Sequence, residues 1–323
     1  MNFIIPSFEI WEQDTNSPVE DMWKHIARCT RVCYQSTPKN NGETDEEFVK
    51  RVILRNIADM NTLSCNFEKL HGSMLEHGTV YLEIYCYNGC EDDNYYKIIN
   101  YRENKYSIVN NIFNGEPIAK NFAITTNLRV LYENNWLDDL KYICVPTEHH
   151  AKRVTVSFTT NIGVTREFNR HRADSPAEES TRYCNYSKRN NGELNIGLPA
   201  WLLNEEHLPY LESHQFDKLS SYCEDVLGNE SLIDNWCDID YYLFSLTVAE
   251  FCYNALIQKD WKPQQAREVL PLATKSQLVH TAFVDDWKHF FALRADGVSG
   301  SPHPNAALLA KPLKEEFIKR GLL

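Results

Sequence analysis

Positive charge is the scarce commodity in this chain: 33 lysines and arginines stand against 45 aspartates and glutamates, a formal charge of -12 at pH 7. That deficit disfavours a nucleic-acid duplex or an anionic bilayer as partner, since both are held mainly by clustered cations. A small anion is still allowed, because an arginine pocket can act locally inside an acidic protein. No stretch of eighteen apolar residues occurs, so no segment reads as a membrane-spanning helix. The opening MNFIIPSFEIWEQD lacks the basic n-region of a secretory leader. A reducing cytoplasm is therefore expected, or the host cytoplasm if the protein is viral, with the ten cysteines as thiols. Cys29 and Cys33 have three residues between them, as do Cys86 and Cys90, but neither pair meets a histidine or a second pair in a zinc signature. No metal is expected. Also missing are internal repeats, heptads, low-complexity tracts, a convincing linker, and the G-x-G-x-x-G fingerprint of dinucleotide-binding parallel sheets.

What is present is enough for a real core: 323 residues, 43% hydrophobic and 12% aromatic. VEDMWKHIARCTRVCYQS (19–36) reads as a helix. TDEEFVKRVILRNIADM opens on a capping box, Thr44 with Glu47 three residues on, and Phe48, Val52 and the Leu54/Ile57 stripe give that helix a buried side. Strand propensity marks YLEIYCY (81–87), AITTNLRVLY (123–132) and RVTVSFTTN (153–161). The polar, Asn- and Tyr-rich stretch at about 88–122 reads as a surface excursion from a single domain spanning 1–323. From Asn204 onward the character is mostly helical: YYLFSLTVAEFCYNALI (241–257) as a well-buried helix, KPQQAREVLP with Pro263 at an early helical position, and SQLVHTAFVDDWKHFFALR as a long last helix ending near Arg294. Strands gathered early and helices late indicate α+β, a mixed fold with a mostly antiparallel sheet flanked by helices.

RHRADSPAEESTRY, residues 170–183, is the chemical concentration point. Arg170, Arg172 and Arg182 can grip a phosphate through forked, charge-assisted contacts that lysine matches poorly. Ser180 adds a short donor, and exposed backbone N–H groups add more. Glu178 cannot favour phosphate directly; it can orient an arginine or accept from an imide or ribose hydroxyl of the same ligand. Two readings stay open at this point, a solvated charged face whose ion pairs contribute little, and a nucleotide site. The same holds for His171 as a packed ring, for Arg267 on a short helix, and for Arg294 near a helix C-terminus, where the dipole alone favours a cation.

The run RHR, seven residues, then Ser180 and TRYCNYSK resembles the signature of the flavin-dependent thymidylate synthases. RVCYQS (31–36), HGSMLEHGTVYL (71–82), QQAREVLP (264–271) and WKHFFALR (287–294) fall in the family's order, so the resemblance spans nearly the whole chain. It implies methylation of dUMP to dTMP, with 5,10-methylenetetrahydrofolate as carbon donor and NADPH as reductant acting through FAD. It also implies a homotetramer whose sites draw on more than one subunit. By matching motif positions, His71 and Ser73 resemble residues beside the flavin, and Glu76 a supporting or flavin-edge residue. Arg170, His171 and Arg172 resemble the triplet on FAD, with Arg170 also reaching nucleotide from a neighbouring subunit. Glu178 is similar to a residue touching flavin and substrate; Ser180, Thr181 and Arg182 match the dUMP loop, and Arg267 a further dUMP arginine. Arg294 stands where the family promotes ionisation at N3 of the uracil, and His289 where a flavin contact is expected.

Departures accompany the resemblance. Phe283, Val284 and Asp285 replace an Asn-x-Arg block, so FAD contacts made there are lost or replaced. Glu167 stands where many members have glutamine; as an acceptor without a donor it cannot make the same pair of bonds to a pyrimidine edge. Cys184 has no evident base beside it and reads as a packing residue, and Ser180 as a ligand clamp, not a nucleophile. Two weaker alternatives are a nucleotide-binding module without turnover and a flavin oxidoreductase acting on another phosphorylated substrate.

Overall fold

The computed structural model describes residues 1–35, 42–53, 72–87, 92–112, 119–188, 192–214 and 236–323. In chain order come β1 (Asn2–Ile4), β2 (Ser7–Trp11), α1 (Pro18–Tyr34) and α2 (Asp45–Ile53). A 3-10 segment, Gly72–His77, leads to β3 (Thr79–Tyr87), α3 (Asp93–Glu103), β4 (Ile108–Ile112), β5 (Ala119–Asn127) and α4 (Leu128–Glu133). β6 (Arg153–Asn161), α5 (Ile162–Phe168), β7 (Ser175–Glu178) and β8 (Asn195–Gly197) follow. Then come α6 (His207–His214), α7 (Asp238–Gln258), α8 (Pro263–Ala266), β9 (Lys275–Phe283), α9 (Val284–Arg294) and α10 (Pro304–Lys319).

A four-stranded antiparallel sheet in the order β2-β6-β9-β7 organises these elements, with β6 and β9 paired along their whole length from Arg153↔Phe283 to Asn161↔Lys275. A second antiparallel sheet has the order β3-β5-β4, and β1 pairs with β8 in parallel. The mixed α/β fold with mostly antiparallel sheets is thus as expected. Alternation along β6 sorts its side chains between two environments. Val154, Val156 and Phe158 join Phe168, Trp287, Phe290, Phe291 and Phe317 in an aromatic core under α5, α9 and α10. Such rings carry the largest single burial terms available to a core. The other face is polar: His25 Nε2 meets Thr155 Oγ1 at 2.9 Å, Thr155 meets Thr281 at 2.7 Å, and Thr281 meets His77 Nδ1 at 2.8 Å. α1 lies close over the 3-10 segment here; a Cβ on Gly78 would stand 2.5 Å from Ile26 Cδ1, so only glycine fits.

Several expectations shift. The capping box forms, with Thr44 Oγ1 accepting from Glu47 N at 3.2 Å and Glu47 Oε2 accepting from Thr44 N at 2.9 Å. Leu54 and Ile57 lie outside the described residues. The strand expected over 123–132 stops at Asn127, whose side chain accepts from Val130 N at 3.1 Å and starts α4. The long last helix is half strand. Lys275–Phe283 serves as a central strand because pairing with β6 and β7 on both sides outweighs its helical pattern. Strands are therefore not confined to the first half. α7 is less buried than expected, with Tyr241 and Phe251 exposed. α10 was not foreseen. Within the stretch read as an excursion, α3 buries Ile98 and Tyr101, and the Tyr101 ring lies 4.8 Å from Trp136.

His25 and His77 must be neutral to remain in this interior. Burial lowers His25 to about 4 and His77 well below the ordinary histidine value. An unfolded histidine takes up its proton near about 6.5, so this contribution is complete above that pH and is lost as pH falls from there towards the folded value. His25 alone is expected to cost about 2 kcal/mol of stability between pH 7 and pH 5. The urea midpoint at the two pH values measures it, and an unchanged midpoint contradicts neutral burial.

Candidate functional site

α5 is a partition. Asn161 ends β6 and caps the helix, its Oδ1 accepting from Val164 N at 3.0 Å. Ile162 and Arg166, one helical turn apart, line a cavity of about 550 Å³. Gly163 and Glu167, likewise one turn apart, line a second cavity of about 330 Å³ with Trp201, Tyr242 and His303. Leu272 belongs to both walls.

The larger cavity collects Arg166, Glu178, Glu179, Ser180, Thr181, Arg182 and Arg267. Of the three carboxylates that line it, Glu178 and Glu179 are engaged away from the guanidinium groups and Glu268 is not. Glu178 accepts from Thr165 Oγ1 at 2.6 Å, Asn169 Nδ2 at 2.8 Å and Ser276 Oγ at 3.1 Å. It therefore orients no arginine, contrary to one of the roles open to it from sequence. Glu179 is buried against Lys275 at 2.8 Å, and the exposed Glu268 stands 3.7 Å from Arg267 Nε. Arg166 and Arg182 have no carboxylate partner among the described residues. Arg267 Nη1 donates to Thr181 Oγ1 at 3.3 Å, while its buried Nε makes no hydrogen bond. A tight turn shapes the loop: Ser180 N donates to Cys33 O at 3.1 Å, and Ser180 Oγ accepts from Arg182 N at 3.3 Å. Cys33 lines the cavity, but burial pushes its thiol up to about 11, so it is no thiolate. Cys184 is packed among Tyr186, Leu194 and Tyr253, as expected.

Arg294 lies elsewhere. Its Nη1 donates to Glu167 Oε2 at 2.6 Å, its Nη2 to Glu167 O at 2.7 Å, and its Nε to His171 Nε2 at 3.1 Å. Accepting at Nε2 puts the proton of a neutral His171 on Nδ1. The His171 ring is buried, 4.9 Å from Phe290 and 6.0 Å from the exposed His289. Arg170 and Arg172 are exposed on the turn between α5 and β7, without a side-chain partner among the described residues. Ser73 is exposed on the 3-10 segment, and neighbouring Glu76 is paired with Arg129. Neither lines the two cavities. His71 lies outside the described residues.

The residues singled out from sequence thus fall into a guanidinium cavity (Glu178, Ser180, Thr181, Arg182, Arg267), an Arg294 group (Glu167, His171, His289) and two exposed sets. Arg166 was missed, although its spacing of four from Arg170 was the available signal. Phe283 is explained by packing, its ring 5.5 Å below the Arg153 guanidinium, and Asp285 pairs with Lys288 at 2.7 Å.

Residues 144–320, more than half of the chain, match the family described as thymidylate synthase complementing protein. The chain belongs to this family. The flavin-dependent thymidylate synthase of Corynebacterium glutamicum is 28% identical over 138 residues, covering 41% of this chain and 44% of that protein. The match thus spans less than half the length of that curated relative. Among solved structures, the UMP/dUMP methylase PolB of Streptomyces cacaoi bound with 5-Br dUMP is 20% identical, with a TM-score of 0.35 over 52% of this chain and 67% of that one. Thymidylate synthase X of Helicobacter pylori with FAD and dUMP is 18% identical, with a TM-score of 0.33 over 50% of this chain and 66% of that one. The three-stranded sheet, residues 79–127, precedes the matched range.

Burial, reinforced by the Arg294 charge against the opposing pull of Asp174, lowers His171 to about 4. Its ring signals in a histidine NMR titration are expected to stay in the neutral position until the pH approaches that value. A midpoint near the ordinary value of about 6.5 contradicts the Arg294–His171 geometry.

Proposed function

We propose that the chain is a flavin-dependent thymidylate synthase that converts dUMP to dTMP, taking the carbon from 5,10-methylenetetrahydrofolate and reducing equivalents from NADPH through FAD. The observation that carries this reading is the larger cavity, where guanidinium groups converge and two of the three adjacent carboxylates, Glu178 and Glu179, are committed to other donors. Arg182 and Arg267, with Ser180 and the backbone of its turn, are suited to a nucleotide phosphate. Bonds from guanidinium to phosphate are each worth about 1.5–3 kcal/mol. Glu178, held by three donors, presents a fixed acceptor edge to the rest of the nucleotide.

Arg294 is suited to the uracil. Three of its five N–H donors are taken by Glu167 and His171, leaving two for a ring whose charge spreads over N3 and the adjoining carbonyls. Fixed donors aimed at developing charge are worth several kcal/mol in a transition state. Glu167 orients this guanidinium through side chain and backbone alike. No protein nucleophile is needed: Cys184 is buried, the half-buried Cys33 has its thiol pushed up to about 11, and Ser180 hydrogen-bonds with the backbone N–H of Arg182 and has no base beside it.

Arg170 and Arg172, unengaged and exposed, are donors of the right chemistry for the pyrophosphate of FAD, and Ser73 and His289 are free to approach a flavin. When bound, FAD supplies the two-electron chemistry, and the residues named here hold it and limit water. The separation of Arg294 from Arg182 and Arg267 supports a site completed between copies of the chain, in a homotetramer. α7 is apolar nearly all round yet leaves Tyr241 49% and Phe251 58% exposed, a surface a second copy would cover. Among the described residues no helix is long and apolar enough to cross a membrane. A cytoplasmic site of action completes the proposal.

An anaerobic mixture of the purified protein with FAD, NADPH, methylenetetrahydrofolate and dUMP should release dTMP; a protein that refuses FAD, or oxidises NADPH with indifference to dUMP, removes the proposal. Arg294→Ala should lower kcat about a hundredfold or more while changing dUMP affinity little. Matching losses in binding and rate would assign Arg294 to positioning alone.

A further inference from the structure

We propose that Arg166 is a third guanidinium of the anion clamp, gripping the phosphoryl group together with Arg182 and Arg267. All three line the larger cavity, each from a different part of the chain: Arg166 from α5, Arg182 from the loop after β7, Arg267 just after α8. Arg166 is exposed and makes no hydrogen bond or ion pair among the described residues. Exposed arginines ordinarily find a carboxylate when one is near, and here acidic side chains are near. Glu178 accepts from Thr165, Asn169 and Ser276, Glu179 from Lys275, and Glu268 stands against Arg267. Glu167, its sequence neighbour, points into the other cavity and takes Arg294.

Helical geometry fixes the outcome. Arg166 shares a face with Ile162, one turn earlier, and both contribute to the cavity wall, whereas Glu167 shares the opposite wall with Gly163. Of the charged groups lining the cavity, Glu268 stands 3.7 Å from Arg267 and Glu179 pairs with Lys275, which leaves Arg166 and Arg182 without an ion pair among the described residues. Arg267 spends its Nε side on Glu268 at 3.7 Å and one Nη1 proton on Thr181, which leaves further guanidinium donors for an anion. A dianionic phosphate, with three acceptor oxygens, matches three forks better than a carboxylate or a monoanion does. The clamp therefore selects a nucleoside monophosphate over its nucleoside. The choice of nucleotide rests on the proposed function; the anion clamp itself does not.

Titration of dUMP, deoxyuridine and inorganic phosphate into the full-length wild type, Arg166→Ala and Arg166→Lys tests the assignment. Arg166→Ala should weaken dUMP by about tenfold or more and weaken phosphate in parallel, with deoxyuridine affinity and the thermal midpoint unchanged. Arg166→Lys, keeping the charge but losing the fork, should fall between, and decides the matter if the alanine variant melts early. Equal dUMP and phosphate affinities in wild type and both variants overturn the clamp. Phosphate binding that depends on Arg166, with dUMP no tighter than phosphate, leaves the clamp standing and removes the dUMP reading. A wild type that binds neither ligand removes both.

Discussion

Three donors on one carboxylate set the character of the site. Because Thr165, Asn169 and Ser276 hold Glu178, that carboxylate makes no ion pair with the arginines around it among the described residues. Lys275 does the same for Glu179. A chain of net charge -12 can in this way keep Arg166 and Arg182 without a carboxylate partner among the described residues. The donors come from α5, the turn after it, and β9, so the electrostatics of the cavity depend on the packing of α5 against the central sheet. Losing that packing would free Glu178 to pair with the guanidinium groups that share its cavity.

The same helix separates two kinds of chemistry. One wall presents Arg166 to the anion cavity; the next residue, Glu167, holds Arg294 on the other side. His171 closes that group as a neutral acceptor, kept so by burial against Phe290 and by the arginine charge it receives. Arg166 and Glu167 are thus adjacent residues that line different cavities.

Legibility in the sequence followed how local each signal was. The Thr44–Glu47 box, the helix over Pro18–Tyr34 and the strand Arg153–Asn161 depend on near neighbours, and each formed. β9 did not announce itself, since its strand state comes from β6 and β7, far away along the chain. The end of β5 at Asn127 was a cap signal hidden inside an apolar run. At the site, the loop Glu178–Arg182 was evident from its composition, and the joining of Arg267 to it followed from motif order alone. Arg166 lacked a motif and became visible only when its neighbours' carboxylates proved to be occupied.

The most direct test of an anion grip by the arginines of this cavity is the affinity of the wild-type protein for dUMP against deoxyuridine at low and high salt. The account predicts that dUMP binds at least about a hundredfold tighter at low salt, as two or more desolvated guanidinium contacts imply, and that the gap narrows as salt rises. Equal affinities for the two, insensitive to salt, would contradict it.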